Sequence, residues 1–346
     1  MSKMTAAVFE QIGEPLVVRE VDRPTLGPDQ LLLKVGYVGI CGSDLHSAET
    51  PRMLPAGTIL GHEFSGEIVE STSSDWRVGE RITVNPFRRC AVCESGGKCH
   101  DGPEPDCLNG WYMGFSPQMP GAYAQYVKVH AYQALRLPDN ISLRDGALTE
   151  PLAVARHSVV VSGGVEGNTV LVIGGGPIGL GVVLMAIEAG ASKVIVSEPD
   201  PVRRACALEL GADAVFDPLS VDVSKAMSEA GFSAPDVVFE CVGAPGFVQL
   251  SIDLLAPRGR VVIVGVCMAE DRFKPLKAIR KAATLVFALG YTTEDFKYSI
   301  QYLAKSAEKA SRMISQTVSL TELPGVFDTL RKEKSLIKVV IEPNAD

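Results

Sequence analysis

Residues 170–187 run for eighteen positions without a charged side chain, and Gly174, Gly175, Gly176, Pro177, Gly179 and Gly181 all fall inside that run. Its length approaches that of a membrane-spanning helix, but so many glycines and a proline break a helix at its centre. No second run of this kind exists. The remaining solution is a short buried strand, a glycine turn and a buried helix. The segment NTVLVIG at 168–174 supplies the strand, and Gly174-x-Gly176-x-x-Gly179 opens the helix. In that setting the first glycine permits the tight turn and the second lets backbone approach a pyrophosphate. The third lets helix and strand pack closely, while the helix N-terminus attracts phosphate. The next apolar strand ends at Glu198. A carboxylate there accepts hydrogen bonds from both adenosine ribose hydroxyls and repels a 2′-phosphate, which predicts NAD rather than NADP. Arg203 and Arg204 follow closely and soften that preference. The plainer reading of the same residues is a glycine turn that binds nothing.

This unit repeats. Segments KVIVSE, AVFDP, DVVFECV and GRVVIVGV begin near 193, 214, 236 and 259, with TLVFALGY at 284–291 as a sixth strand. Continuous Val/Ile runs separated by helical stretches predict a doubly wound parallel sheet covered on both faces. Residues 1–150 have a different texture. Strand-like pieces at 16–21, 30–38, 65–69, 81–84 and 124–129 are separated by turns, with no long periodic helix. They predict a small, irregular β-rich domain. A charged helical stretch at 294–313 and an apolar strand at 337–341 close the chain.

With 33 basic and 41 acidic residues the net charge is −8. That excludes nucleic acid and anionic membrane as main partners, because both require a basic face. The opening MSKMTAAVFEQ has no apolar signal core, so a cytoplasmic protein is expected. Of its eight cysteines, the cluster of four between 90 and 107 is then read as metal-binding before disulfide, while Cys206, Cys241 and Cys267 read as packing residues.

Two sets stand out. The first is dispersed: Cys41 in CGSDLH, His62-Glu63 in GHEFSG and Glu150 in TEPLAVA. Thiolate, imidazole and carboxylate suit Zn²⁺, and an incomplete protein shell leaves room for substrate. Each is bland alone: a buried small cysteine, a core or surface histidine, a helix-capping acid. The second set is Cys90, Cys93, Cys99 and Cys107, spaced C-x2-C-x5-C-x7-C. A tetrahedral structural zinc is the best reading, against a metal-free loop or His100 replacing a neighbour.

Taken together, GICGSDLH (39–46), GHEFSGEIV (61–69), VGERITV (78–84), the cysteine cluster, TEPLAVA (149–155), GGGPIG (174–179) and GRVVIVGV (259–266) resemble the zinc-dependent medium-chain alcohol dehydrogenases along essentially the whole chain. The cluster departs from that family's usual C-x2-C-x2-C-x7-C by three extra residues before Cys99. Glu150 in its TEPLA context is similar to the polyol, threonine and butanediol dehydrogenase branch.

The resemblance implies a GroES-like catalytic domain formed by residues 1–150 and 290–346, interrupted by a Rossmann NAD-binding domain at 151–289. Cys41 and His62 would ligate the catalytic zinc, with Glu63 and Glu150 as alternating or water-mediated ligands and Asp44 orienting the site. Ser43 would take the substrate's hydroxyl proton and His46 would deliver it to solvent. The glycine loop (Gly174, Gly176, Pro177, Ile178, Gly179), Glu198 and Arg203 would hold the adenosine half of the cofactor. Val242, Val264, Gly265, Val266, Ala288 and Gly290 would hold the nicotinamide half. The family is usually dimeric or tetrameric.

The expected reaction moves a hydride between a secondary alcohol (a diol, polyol or sugar alcohol) and NAD, giving the ketone. A hydroxy-amino acid such as threonine is the alternative substrate. The rivals are a zinc-free enone or quinone reductase, disfavoured by Cys41, His62 and Glu150, and a non-catalytic nucleotide-binding protein, disfavoured by Ser43 and His46. Pocket walls are expected from residues 50–54, Tyr112, Phe115 and residues 267–273. Arg52 and Arg272 read as solvated surface residues.

Overall fold

The computed structural model describes residues 2–90, 93, 110–333 and 336–345. Two compact units emerge. One comprises Met1–Glu150, Phe296–Ala307 and Ile314–Asp346; the other comprises Pro151–Asp295 and Glu308–Met313. The chain thus returns to the first unit at Asp295/Phe296 rather than at 289/290. The helix Thr293–Ser311 explains the small excursion at 308–313. Its Ser306 is non-helical (φ −142, ψ 28), and beyond it Cys206 Sγ approaches the Arg312 carbonyl at 3.7 Å.

The first unit is built on a seven-stranded sheet centred on Gln30–Gly39. Its residues Leu31, Leu33 and Val35 enter a core with Phe64, Ile68, Ile82, Val127 and Phe327, while Leu32, on the opposite face, is fully buried as well. Gly39, near the end of this strand, faces Glu63 at the start of Glu63–Ser71. It also faces Val340 of Lys338–Glu342 on the other side. Cys41, His62 and Lys338 are therefore delivered to one end of the sheet by three neighbouring strands. The chain leaves Gly39 through Ile40 and Cys41 into the short helix Gly42–Glu49.

The second unit is a six-stranded, all-parallel sheet. Its strands are Thr169–Ile173, Lys193–Ser197, Ala214–Phe216, Val237–Glu240, Arg260–Ile263 and Thr284–Phe287. Numbered in that sequence they lie in the order 3-2-1-4-5-6, the doubly wound arrangement that binds nucleotides where the order reverses. Thr169–Ile173 is buried throughout. The uncharged run is divided between this strand and the helix Pro177–Glu188, and among the described residues no helix is long and apolar enough to cross a membrane. The expected strand over 284–291 stops at Phe287; Gly290 follows with φ +67 and turns the chain away.

Candidate functional site

At the end of the first unit's sheet, Cys41, His62 and Glu63 bring their donor atoms within 4.8 Å of one another, and His62 and Glu63 are buried. Two features of the local chain make this possible. Gly39 opposite Glu63 leaves space that a Cβ would fill, since it would stand 2.1 Å from Glu63 Oε2. Gly61 precedes His62 with φ +93, a backbone conformation that side chains resist.

Asp44, fully buried, ties Cys41 and His62 together. Its Oδ2 accepts the Cys41 backbone N–H at 3.0 Å and the Tyr123 hydroxyl at 2.8 Å. Its Oδ1 accepts the Gly61 N–H at 3.4 Å. His62 Nδ1 stands 3.2 Å from the same oxygen, at ion-pair distance but off the line of a donated hydrogen bond. Burial pushes the Asp44 carboxyl up, but the His62 charge beside it and the hydrogen bonds from Cys41 and Tyr123 outweigh it and hold it below the usual carboxylate range. Burial likewise opposes a charged His62, yet Asp44 and Cys41 raise its pKa well above the ordinary histidine value. With Nδ1 turned to Asp44, Nε2 faces the Ser43 hydroxyl at 3.4 Å. The ring lies 5.5 Å from that of Phe115.

The sequence reading missed Lys338. It is buried at the head of its strand, and its Nζ donates to both Glu63 oxygens (2.8 and 2.6 Å) and to the Ile40 carbonyl (3.0 Å). Burial opposes its charge, but Glu63, Cys41 and Glu150 together raise its pKa. A lone lysine in the apolar run IKVVI is the signal that pointed to it. Glu63 is thus already doubly bonded to an ammonium. Glu150, buried in the helix Thr149–Val161, lies outside the 4.8 Å trio, but its charge reaches Lys338 and Tyr112. Burial, with Glu150, pushes the Tyr112 phenol up to about 12, His62 pulling the other way.

The donor chemistry fits zinc: a thiol, an imidazole whose second nitrogen faces a carboxylate, and a nearby acid. Electrostatics agree, because three buried carboxyl groups, Asp44, Glu63 and Glu150, act on this sheet end, a setting in which a divalent cation would be favoured.

Ser43 and His46 lie three residues apart on the helix Gly42–Glu49 and share a face. Ser43 is half-buried beside His62, whereas His46 is exposed. Of the cysteine cluster, Cys90 and Cys93 are half-buried; Cys99 and Cys107 lie outside the described residues.

In the second unit the glycine loop leaves strand Thr169–Ile173 at the order reversal. Gly174 has φ +99. A Cβ on Gly179 would lie 1.9 Å from the Gly174 carbonyl oxygen, so only glycine permits this helix to close on the turn. Gly176 caps the helix and Pro177 begins it. Glu198 is buried beside the loop, accepting the Gly175 N–H at 2.5 Å and the Asp200 N–H at 2.8 Å. Arg204 is committed to the Glu198 and Pro199 carbonyls, while Arg203 Nη1 lies nearest Gly176.

The neighbouring strand ends converge through an acid that sequence reasoning also missed. Buried Glu240 accepts the Val242 and Gly243 N–H groups at 2.7 and 2.9 Å through its side chain. Its backbone carbonyl accepts Val264 and Gly265 N–H. Val242 and Val266 remain exposed beside these turns. Ala288 N–H bonds the Ile263 carbonyl, and Gly290 follows.

Comparison with known proteins adds to this geometry. Residues 27–139 match the alcohol dehydrogenase GroES-like domain, and residues 177–305 match the zinc-binding dehydrogenase domain. A scyllo-inosose 3-dehydrogenase of Thermotoga maritima is 34% identical over 94% of this chain and 89% of its own. A sorbitol dehydrogenase of Halalkalibacterium halodurans is 32% identical over 98% of this chain and 99% of its own. Among solved structures, a Sinorhizobium meliloti protein described only as a zinc-binding dehydrogenase, bound to NADP, superposes with a TM-score of 0.88. It is 33% identical and covers 99% of this chain and 100% of its own.

Proposed function

The chain belongs to the zinc-dependent medium-chain dehydrogenase family, and from that membership we propose that it moves a hydride between a secondary hydroxyl of a polyol or diol and NAD, giving the ketone. The observation that carries this reading is the trio Cys41, His62 and Glu63 gathered within 4.8 Å at one sheet end. Cys41 and His62 would hold zinc, with Glu63 or Glu150 completing the set. Zinc supplies Lewis acidity toward an alcohol oxygen, and the nicotinamide supplies the hydride acceptor.

The chain's own residues do the rest. Asp44 fixes His62, and Lys338 balances Glu63. Ser43 would take the substrate's hydroxyl proton while its own passes on through the cofactor ribose to His46, exposed on the same helix, which would deliver it to water. Phe115, whose ring lies beside His62, and Tyr112 are the candidate walls on the substrate side of the trio. Gly174, Gly176 and Gly179 admit the pyrophosphate, Glu198 receives the adenosine ribose, and Val242, Val264, Gly265, Val266, Ala288 and Gly290 flank the nicotinamide.

Three further assignments belong to this reading. Cys90, Cys93, Cys99 and Cys107 hold a second, structural zinc. The edge strand Thr284–Phe287, with Phe287 75% and Leu289 81% exposed, is covered by a second copy of the chain, since an open apolar edge invites pairing. The reduced thiols this chemistry needs place the protein in the cytoplasm.

The test is a panel of polyols, diols and hydroxy-amino acids offered with NAD and with NADP, repeated after chelation. Polyol oxidation lost on chelation and restored by zinc is expected. Zinc-loaded protein that reduces neither cofactor with any member overturns the proposal.

A further inference from the structure

The hydroxyl of Tyr123 has no part in the hydride chemistry, yet it is placed with care. Tyr123 is fully buried, among the largest side chains in the molecule to be so. Phenylalanine would fill nearly the same volume without a polar atom to desolvate, so the hydroxyl needs its own account. It donates to Asp44 Oδ2 at 2.8 Å.

That oxygen also accepts the Cys41 backbone N–H, and the other oxygen stands at Gly61 and His62 Nδ1. One carboxylate therefore bridges the segment that carries Cys41 and the ring of His62. A buried aspartate still turns about its terminal torsion. Two donors on Oδ2, of which Tyr123 gives the shorter bond, fix the rotation that aims Oδ1 at His62.

The phenol itself is held on every side. Its ring meets Phe327 edge-on at 6.5 Å and 82°. Its backbone N–H bonds the Leu60 carbonyl at 3.0 Å, and the neighbouring Ala122 N–H bonds Gly61 at 2.8 Å. Gly61 has no side chain where a Cβ would stand 2.4 Å from the Tyr123 ring. The glycine before His62 thus serves two ends: it permits the turn and admits the ring.

We propose that Tyr123 is a positioning residue for the metal centre, locking the Asp44 carboxylate so that Cys41 and His62 are presented to one ion. This rests on the reading that Cys41 and His62 hold zinc. Groups one step behind a metal ligand commonly alter affinity about 10–100-fold. Tyr123 acts through Asp44, so the lower end of that range applies.

The experiment uses the full chain as wild type, Y123F, D44N, the double variant Y123F/D44N, and C41A. Zinc release is timed with a chelating dye, and the visible spectrum of the Co²⁺-substituted protein reports ligand geometry. Y123F should fold cooperatively, release zinc about tenfold faster and shift the Co²⁺ bands. D44N should release it faster still, and adding Y123F to D44N should change nothing more. Wild-type release and spectrum in Y123F overturn the proposal, as does an undiminished Y123F effect in the D44N background, which marks a packing role. If Y123F does not fold, Phe327→Leu loosens the ring while keeping the hydroxyl. Faster zinc release that disappears in the D44N background then supports the proposal; unchanged release, or an effect undiminished in D44N, overturns it. Zinc content unaltered in C41A overturns the underlying metal reading instead, and this inference with it.

Discussion

The candidate metal cluster of the first unit and the glycine loop of the second are built from opposite materials. The loop is one contiguous stretch whose capacity lies in its backbone: the close approach of Gly179 to the Gly174 carbonyl, the N–H groups at the head of Pro177–Glu188. The cluster is assembled from residues far apart in the chain, and its capacity lies in buried side-chain charge: Asp44, His62, Glu63 and Lys338. A site made of backbone is broken by adding atoms. A site made of buried charge is broken by removing one partner.

Substitutions at each site press on that contrast. Cys41→Ala should abolish zinc at the cluster and cut turnover by about 10³-fold or more, because the Lewis acid is worth several kcal/mol; zinc content and kcat/KM check it together. Lys338→Met should destabilise the protein by about 3–5 kcal/mol, since it leaves Glu63 buried without a counter-charge. Chemical denaturation measures this, and pairing Lys338→Met with Glu63→Gln should recover much of the loss. Gly179→Ala should cost the second unit about 1–3 kcal/mol through overpacking and weaken nucleotide binding, read by calorimetry, while leaving zinc content alone. Glu198→Ala should move the ratio of kcat/KM for NAD over NADP by about tenfold toward NADP, as the carboxylate that repels a 2′-phosphate is gone.

The smallest effect concerns pH. Asp295 accepts from His157 at 2.8 Å and from Thr292. Burial raises its carboxyl, but those hydrogen bonds outweigh it and the folded pKa is depressed. Its contribution is therefore fully present above the ordinary carboxylate value and is lost as pH falls through the depressed one. Asp295→Asn should flatten the acid limb of the stability profile by about 1 kcal/mol, measurable by thermal melts between neutral pH and strong acid.

The same contrast explains what could be read from the sequence. The loop, the six strands and Glu198 were legible because local patterning carries them: periodicity, glycine spacing, a strand ending in an acid. The candidate ligands Cys41, His62 and Glu63 were legible only as a constellation. Lys338 and Tyr123 were not, because nothing near them in the chain announces their partners. Lys338 meets Glu63 across 275 positions, and Tyr123 meets Asp44 across 79. Such pairs become visible only when the register of the antiparallel sheet is known.

The distance between Glu63 and Lys338 has a temporal side. A ribosome makes Cys41, His62 and Glu63 early and the strand Lys338–Glu342 long afterwards. Until that strand docks beside Gln30–Gly39, the Glu63 carboxylate has no buried cation, and it must stay hydrated or accept a proton. The sheet end that gathers Cys41, His62 and Glu63 therefore cannot become dry until Lys338–Glu342 is made. In this architecture the order of synthesis acts as a clock on the maturation of the centre.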